Sequence, residues 1–262
     1  MQLKLSVVSA QGTVLAEAVG EDRVFLDYKA AYQPGDVLCL SSDEEGLVVA
    51  QLEDSLPASY GLLKGEMTLP VPFAERRICY SPKAFTGERH LLWARTATEL
   101  ETSARRNLAL NPLDCHANKG MFPHASANVE TRGEASFEAR NAIDGIYANT
   151  DHGVYPYSSW GINRDPNAAL TIDFGREVMI DEVAVTLRND FPHDNWWQSG
   201  VIRFDDGSSE LLHFEKVAYP QRTSIAPRKV RYAVLEQLIQ CPDDPSPFPA
   251  LTQLELWGTE SK

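Results

Sequence analysis

Apolar and polar residues alternate with a period of two through most of the first hundred positions, in short runs. The pattern predicts strands over 3–8, 13–19, 23–26, 37–40, 47–52, 61–63, 67–71 and 90–95. Turn chemistry separates them at Gln11-Gly12, Gln33-Pro34-Gly35-Asp36, Asp43-Glu44-Glu45-Gly46 and Lys64-Gly65-Glu66, where glycine permits positive φ and proline presets a bend. Residues 96–106 break the period with Ala, Thr, Glu, Leu and Arg at helical spacing, so a helical linker is expected there. Beyond Asn107 an irregular stretch rich in Pro, Asn, His and aromatic residues runs to the region of Asp165. Spans of that kind are more often functional loops than idle connections. Strands resume over 169–174, 178–188, 201–204, 210–214, 230–238 and 253–257, and Phe204-Asp205-Asp206-Gly207-Ser208 signals a hairpin. The expectation is an all-β protein in two units: a small sandwich or barrel-like domain over 1–95, a linker over 96–106, and a second β domain over 107–262.

Composition narrows the partners. The chain of 262 residues is 43% hydrophobic and 23% charged, the balance of a folded protein, and carries a net charge of −13. Eleven basic residues stand against fifteen acidic ones up to residue 106, and thirteen against twenty-two after it. Such a chain has few cations with which to displace counterions from a phosphate backbone, so nucleic acid is not an expected partner. A polybasic membrane anchor is disfavoured on the same ground. No run of apolar residues is long enough to span a bilayer. The amino terminus reads as a strand and not as a secretory signal, which gives a cytoplasmic expectation, or an extracellular one if a leader has been removed. Cys39, Cys79, Cys115 and Cys241 are scattered without framework spacing and are expected as free thiols.

The block with most chemistry is Ala139-Arg140-Asn141-Ala142-Ile143-Asp144-Gly145-Ile146-Tyr147-Ala148-Asn149-Thr150. It gathers a carboxylate, a glycine that lets the backbone turn, and oxygen-bearing Asn and Thr side chains. A hard cation such as Ca²⁺ takes about six to eight oxygens of these types. An Asx-turn in which Asp144 satisfies its own backbone is an equal reading of the same residues.

Taken in order, Asn107-Leu108-Ala109-Leu110-Asn111, this loop, Ser159-Trp160, Leu170-Thr171-Ile172-Asp173-Phe174-Gly175, Ile180-Asp181-Glu182-Val183 and the terminal Leu251-Thr252-Gln253-Leu254-Glu255-Leu256-Trp257-Gly258 form a series. The series resembles the discoidin, or coagulation-factor 5/8 type C, family of galactose-binding-like domains, which includes carbohydrate-binding modules. The resemblance spans residues 107–258. It implies a jelly-roll β-sandwich of about eight strands with a lectin-like binding face of loops at one rim. It also implies a structural calcium ion beneath that rim, held by the Asn141 carbonyl, the Asp144 carboxylate, the Ile146 carbonyl, Asn149 or Thr150, and the Thr252 carbonyl. Gln253 stands where the family usually has Glu, which removes one negative charge from the cage.

The same resemblance places Arg188 and Asn195 at sugar-binding positions. A planar guanidinium can grip vicinal hydroxyls, and an aromatic ring can stack on the apolar face of a sugar. Trp196 or Trp197, with Tyr155 and Tyr157, are the candidate platforms, and His124 and His193 are candidate hydrogen-bond partners. Competing readings are specific. Strand alternation leaves at most one of the two adjacent tryptophans for a ligand, Trp160 and Trp257 suit the core, and Arg188 has ion-pair partners available in Asp190 and Asp194. No GxSxG, HExxH, Walker or Rossmann pattern occurs. Asp144, Asp151, Asp190 and Asp194 could supply a glycosidase pair only at separations that sequence does not fix. The expectation is therefore a non-catalytic carbohydrate-binding protein. A protein-interaction or scaffold module using the same rim is the alternative, and a glycoside-active enzyme is the least favoured. The first hundred residues carry no recognisable chemistry.

Overall fold

The computed structural model describes residues 1–189 and 195–261. Eight strands come first: β1 (Gln2–Val8), β2 (Val14–Glu21), β3 (Arg23–Tyr28), β4 (Val37–Ser42), β5 (Gly46–Gln51), β6 (Ser59–Leu63), β7 (Glu66–Pro70) and β8 (His90–Thr96). They form an antiparallel sheet in the order β2-β1-β4-β7 and most of a second that runs β6-β5-β8-β3. Alternation decides which face is inside. In β1, Leu3, Leu5 and Val7 are wholly buried, and in β3 the buried Val24, Leu26 and Tyr28 alternate with exposed neighbours. Leu38, Leu40, Val48, Ala50, Leu63, Met67, Leu69 and Leu92 complete this first core, each large side chain stabilising by roughly 1.5–3 kcal/mol.

Helix α1 (Glu99–Ser103) occupies the segment expected to be helical. Thr98 caps it: its hydroxyl accepts from the Glu101 amide, and the Glu101 carboxylate accepts from the Thr98 amide at 2.8 Å. Arg95 holds the Glu101 carboxyl down to about 2, the same glutamate serving both cap and ion pair.

The remaining strands are β9 (Arg106–Asn107), β10 (Met121–Phe122), β11 (His124–Ala127), β12 (Trp160–Gly161), β13 (Leu170–Leu187), β14 (Trp197–Phe204), β15 (Ser209–His213), β16 (Gln221–Gln240) and β17 (Ala250–Glu260). The stretch expected to be irregular thus holds three short strands, β10, β11 and β12, with 3-10 turns over Thr131–Gly133, Ala135–Phe137 and Ala139–Ile143. Strands expected over 169–174 and 178–188 are one element of 18 residues. Its first arm pairs with β11 and with residues 232–235 of β16, and its second with β17 and residues 221–230 of β16. β13 and β16 therefore pass from one layer to the other, and the register breaks between Asp173 and Val178, where Gly175 has φ +66°. One layer is β11-β13-β16-β14-β15; the other joins the far arms of β16 and β13 to β17, with β9 and β12 paired on β17. Between them Ile172, Phe174, Val185, Ile202, Phe204, Leu235, Leu254 and Leu256 are almost completely buried. This half is a jelly-roll β-sandwich, and the protein is all-β. Among the described residues no helix is long and apolar enough to cross a membrane.

The two cores meet along a seam. β10 pairs antiparallel with β6 and so adds a fifth strand to the second sheet of the first half. Beside it, the buried Arg140 donates through Nε to Glu138 at 3.2 Å and through Nη2 to Cys79 Sγ at 2.6 Å, with its guanidinium 4.4 Å above the Tyr80 ring. Glu138 also meets Arg76 and His116 at 3.3 and 3.4 Å. Cys39, Cys79, Cys115 and Cys241 are all free thiols.

Candidate functional site

At one end of the sandwich, β13 finishes at Leu187, and the next residue keeps pairing with the closing strand: the Arg188 amide donates to the Ala250 carbonyl at 3.0 Å. The Arg188 side chain turns toward the segment before β17 and donates through Nη2 to the Phe248 carbonyl. That segment, Pro245-Ser246-Pro247-Phe248-Pro249, has its φ angles fixed at every second residue by proline. Asn195 ties it down, donating Nδ2 to the Asp244 and Ser246 carbonyls, while Asp244 accepts from the Ser246 amide at 3.0 Å.

Opposite stand two other loops. Ser136 holds one by donating to the Gly153 carbonyl at 2.7 Å, which sets His152 6.4 Å from the Phe137 ring. In the other, Asn163 and Arg164 take the left-handed region at φ +48° and +62°, and the Asn163 amide donates to Thr131 Oγ1 at 3.0 Å. Non-glycine residues held there store strain of about 1–3 kcal/mol each. The result is a hollow of about 140 Å³ lined by Thr131, Arg132, Phe137, His152, Asn163, Arg164, Arg188 and Phe248 among others. Arg164 stacks 4.4 Å from the Phe248 ring centre, and Arg132 stands 6.0 Å from that of Phe137. An acidic protein thus gathers three guanidiniums, an imidazole, an amide and two phenyl rings around one opening.

The sequence-derived candidates divide. Arg188 lines the hollow, with 4% of its surface exposed. Asn195 is fully buried, with its amide given to backbone carbonyls and its Oδ1 accepting from the Trp196 amide, so it builds the wall of the loop. Trp197 is a core residue, 1% exposed and 6.4 Å from Trp160, and Trp196 is half-buried against the same core. Tyr155 lies at the seam, its amide donating to the Ile78 carbonyl, and it lines a cavity with Tyr80, Arg140 and Asp144. Tyr157 is half-buried, with its amide donating to the Val154 carbonyl. His124 sits on β11, its Nδ1 2.8 Å from the buried Asp114 carboxylate. His193 falls outside the described residues. Not foreseen as lining the hollow were His152, Arg164, Asn163, Phe137 and Phe248; the one available signal was a phenylalanine set among three prolines.

The candidate cation ligands also divide. The Asn141 and Thr252 carbonyls and Asp144 Oδ1 converge, and at their meeting point lies the Gln253 Nε2, 2.7, 2.6 and 2.8 Å from them. Burial pushes the Asp144 carboxyl up to about 6, against hydrogen bonds from the Ile146 amide and Gln253. Asn149 turns away and donates to the Leu187 and Ala218 carbonyls, and Thr150 is exposed. Calcium needs oxygens at about 2.3–2.6 Å around an open centre. These residues, as arranged, do not fit it, because an amide nitrogen fills that centre. Among the described residues there is no cluster of three or more His, Cys, Asp or Glu suited to a metal.

No family model matches the sequence, and no curated protein matches it. Solved structures similar in part include a chitosan-binding module 1 derived from a chitosanase/glucanase of Paenibacillus sp. IK-5, 17% identical, covering 58% of this chain and 99% of that one at a TM-score of 0.40. Another is the family 32 carbohydrate-binding module of C. perfringens NanJ, solved with galactose, 19% identical, covering 51% and 91% at 0.38. A third is the lectin domain of lectinolysin, solved with Lewis B antigen, 18% identical, covering 60% and 98% at 0.42.

Proposed function

We propose that this chain is a non-catalytic carbohydrate-binding protein that seats one sugar ring in the rim hollow. The observation that carries the reading is the lining: Arg188, His152 and the Phe248 and Phe137 rings border a single opening. A guanidinium supplies parallel donors to vicinal hydroxyls, an imidazole can donate or accept, and a phenyl ring covers the apolar face of a pyranose. The described lining residues include no carboxylate, a set suited to holding a glycosidic oxygen and not to protonating it. Asn195 acts indirectly, by fixing the loop that carries Phe248. The opening is smaller than the pockets of about 300–1,000 Å³ that enclose drug-sized ligands, so a single ring should bind weakly.

Calorimetric titration against galactose- and glucose-type mono- and oligosaccharides tests this. Saturable binding is expected, lost with Arg188→Ala and weakened about tenfold, or ~1.4 kcal/mol, with Phe248→Ala; each variant should first be matched to the parent by circular dichroism. Failure across both sugar series would reject the proposal and leave a protein-binding role for the rim.

A further inference from the structure

We propose that Gln253 stands in for a cation: its side-chain amide clamps the loop that follows the Ala139–Ile143 turn, and the site takes no calcium. Three oxygens from two distant segments, the Asn141 carbonyl, Asp144 Oδ1 and the Thr252 carbonyl, all approach Nε2 within 2.8 Å. Such convergence of acceptors on one point suits a cation or an NH₂ group, and the NH₂ of Gln253 already sits there, sharing its two hydrogens among the three oxygens.

The amide's orientation follows from its other end. Gln253 Oε1 accepts from the Gly145 amide at 3.0 Å. Turned over, the group would set its NH₂ against that N–H and its oxygen against three oxygens, so only one orientation is satisfied. Asp144 is the one carboxylate in the cage, which leaves little negative charge to hold a divalent ion. Every group is buried, Asn141, Thr252 and Gln253 almost completely, so the clamp lies away from bulk solvent.

The cage also braces the rim. Asn141 Nδ2 donates to the Ser159 carbonyl, two residues before Gly161 on the wall of the hollow, and Gln253 is paired with Thr186, two residues before Arg188.

The test is thermal unfolding of the whole chain in chelator and in millimolar calcium, with calcium titration by calorimetry. The wild type is expected to unfold at the same temperature in both and to give no saturable heat; a saturable rise with calcium would overturn the proposal. Gln253→Glu is expected to unfold at lower temperature in chelator, because a second carboxylate then faces Asp144, and to recover with calcium. A folded Gln253→Glu protein indifferent to calcium would count against the cage being shaped for a cation. Gln253→Met, similar in length and without a donor, should unfold earlier in both buffers, and an unchanged midpoint would remove the clamp. Should Gln253→Glu not fold, the wild-type and Gln253→Met results still decide.

Discussion

Arg140 is buried at the seam, bonded to Glu138 and Cys79 and stacked on the Tyr80 ring, with the Asp144 carboxylate also in electrostatic reach. Replacing it with methionine keeps the stem and removes the charge, which leaves Glu138 buried with Arg76 and His116 as its remaining cationic contacts. We expect Arg140→Met to lower stability by about 3 kcal/mol, read as a shift in the urea midpoint; a change within error would mean that the surface partners suffice. Asn141 and Asp144 of the same block do meet Thr252 and Gln253 of the closing strand, a meeting the family resemblance implied, although around an amide nitrogen. Arg140 was not legible in sequence, because its contact with Cys79 lies 61 positions away and no local pattern reports on it. The rim follows the same division. Arg188 could be placed from the end of its strand, whereas His152 and Phe248 come from loops whose approach depends on tertiary packing. Alternation anticipated that one of the adjacent tryptophans would be internal, and Trp197 is.

Among elements, β13 and β16 carry the sandwich, and both bend. Gly175 sits at the bend of β13 with positive φ, and a Cβ there would overlap the Phe122 ring. Gly175→Ala is expected to destabilise by more than about 1 kcal/mol, measurable by thermal denaturation; a neutral result would show that the bend tolerates a side chain. Sequence marked the two arms as separate strands because the glycine interrupts the apolar alternation. The first part of β16, residues 221–229, was unreadable for another reason. Its sequence Gln-Arg-Thr-Ser-Ile-Ala-Pro-Arg-Lys offers no inward apolar series and is largely half-exposed or exposed, so its strand character comes from pairing with β13. Helix α1 was the opposite case, legible from its local spacing, and because its capping box holds the first turn Thr98→Ala should cost about 1 kcal/mol.

At the scale of the molecule, two histidine–carboxylate pairs stand at or near the junction of the halves. The hydrogen bond to Asp114, opposed by burial, raises the pKa of His124, and Asp173 adds to it; the hydrogen bond to Glu130 does the same for His116. Folded values above the unfolded value of about 6.5 mean that this stability is complete below that pH and is lost as pH rises through the raised values. His116 is half-exposed, so solvent screens its share. The unfolding temperature is expected to fall as pH rises above about 6.5, and Asp114→Asn should flatten the decline; an identical decline in the variant would remove His124 from the account. Because Met121 and Phe122 complete a sheet begun on the far side of α1, scissors applied to that helix would sever the polypeptide without releasing its pieces. A protease nick between Glu99 and Ser103 should leave two fragments that travel as one through a sizing column.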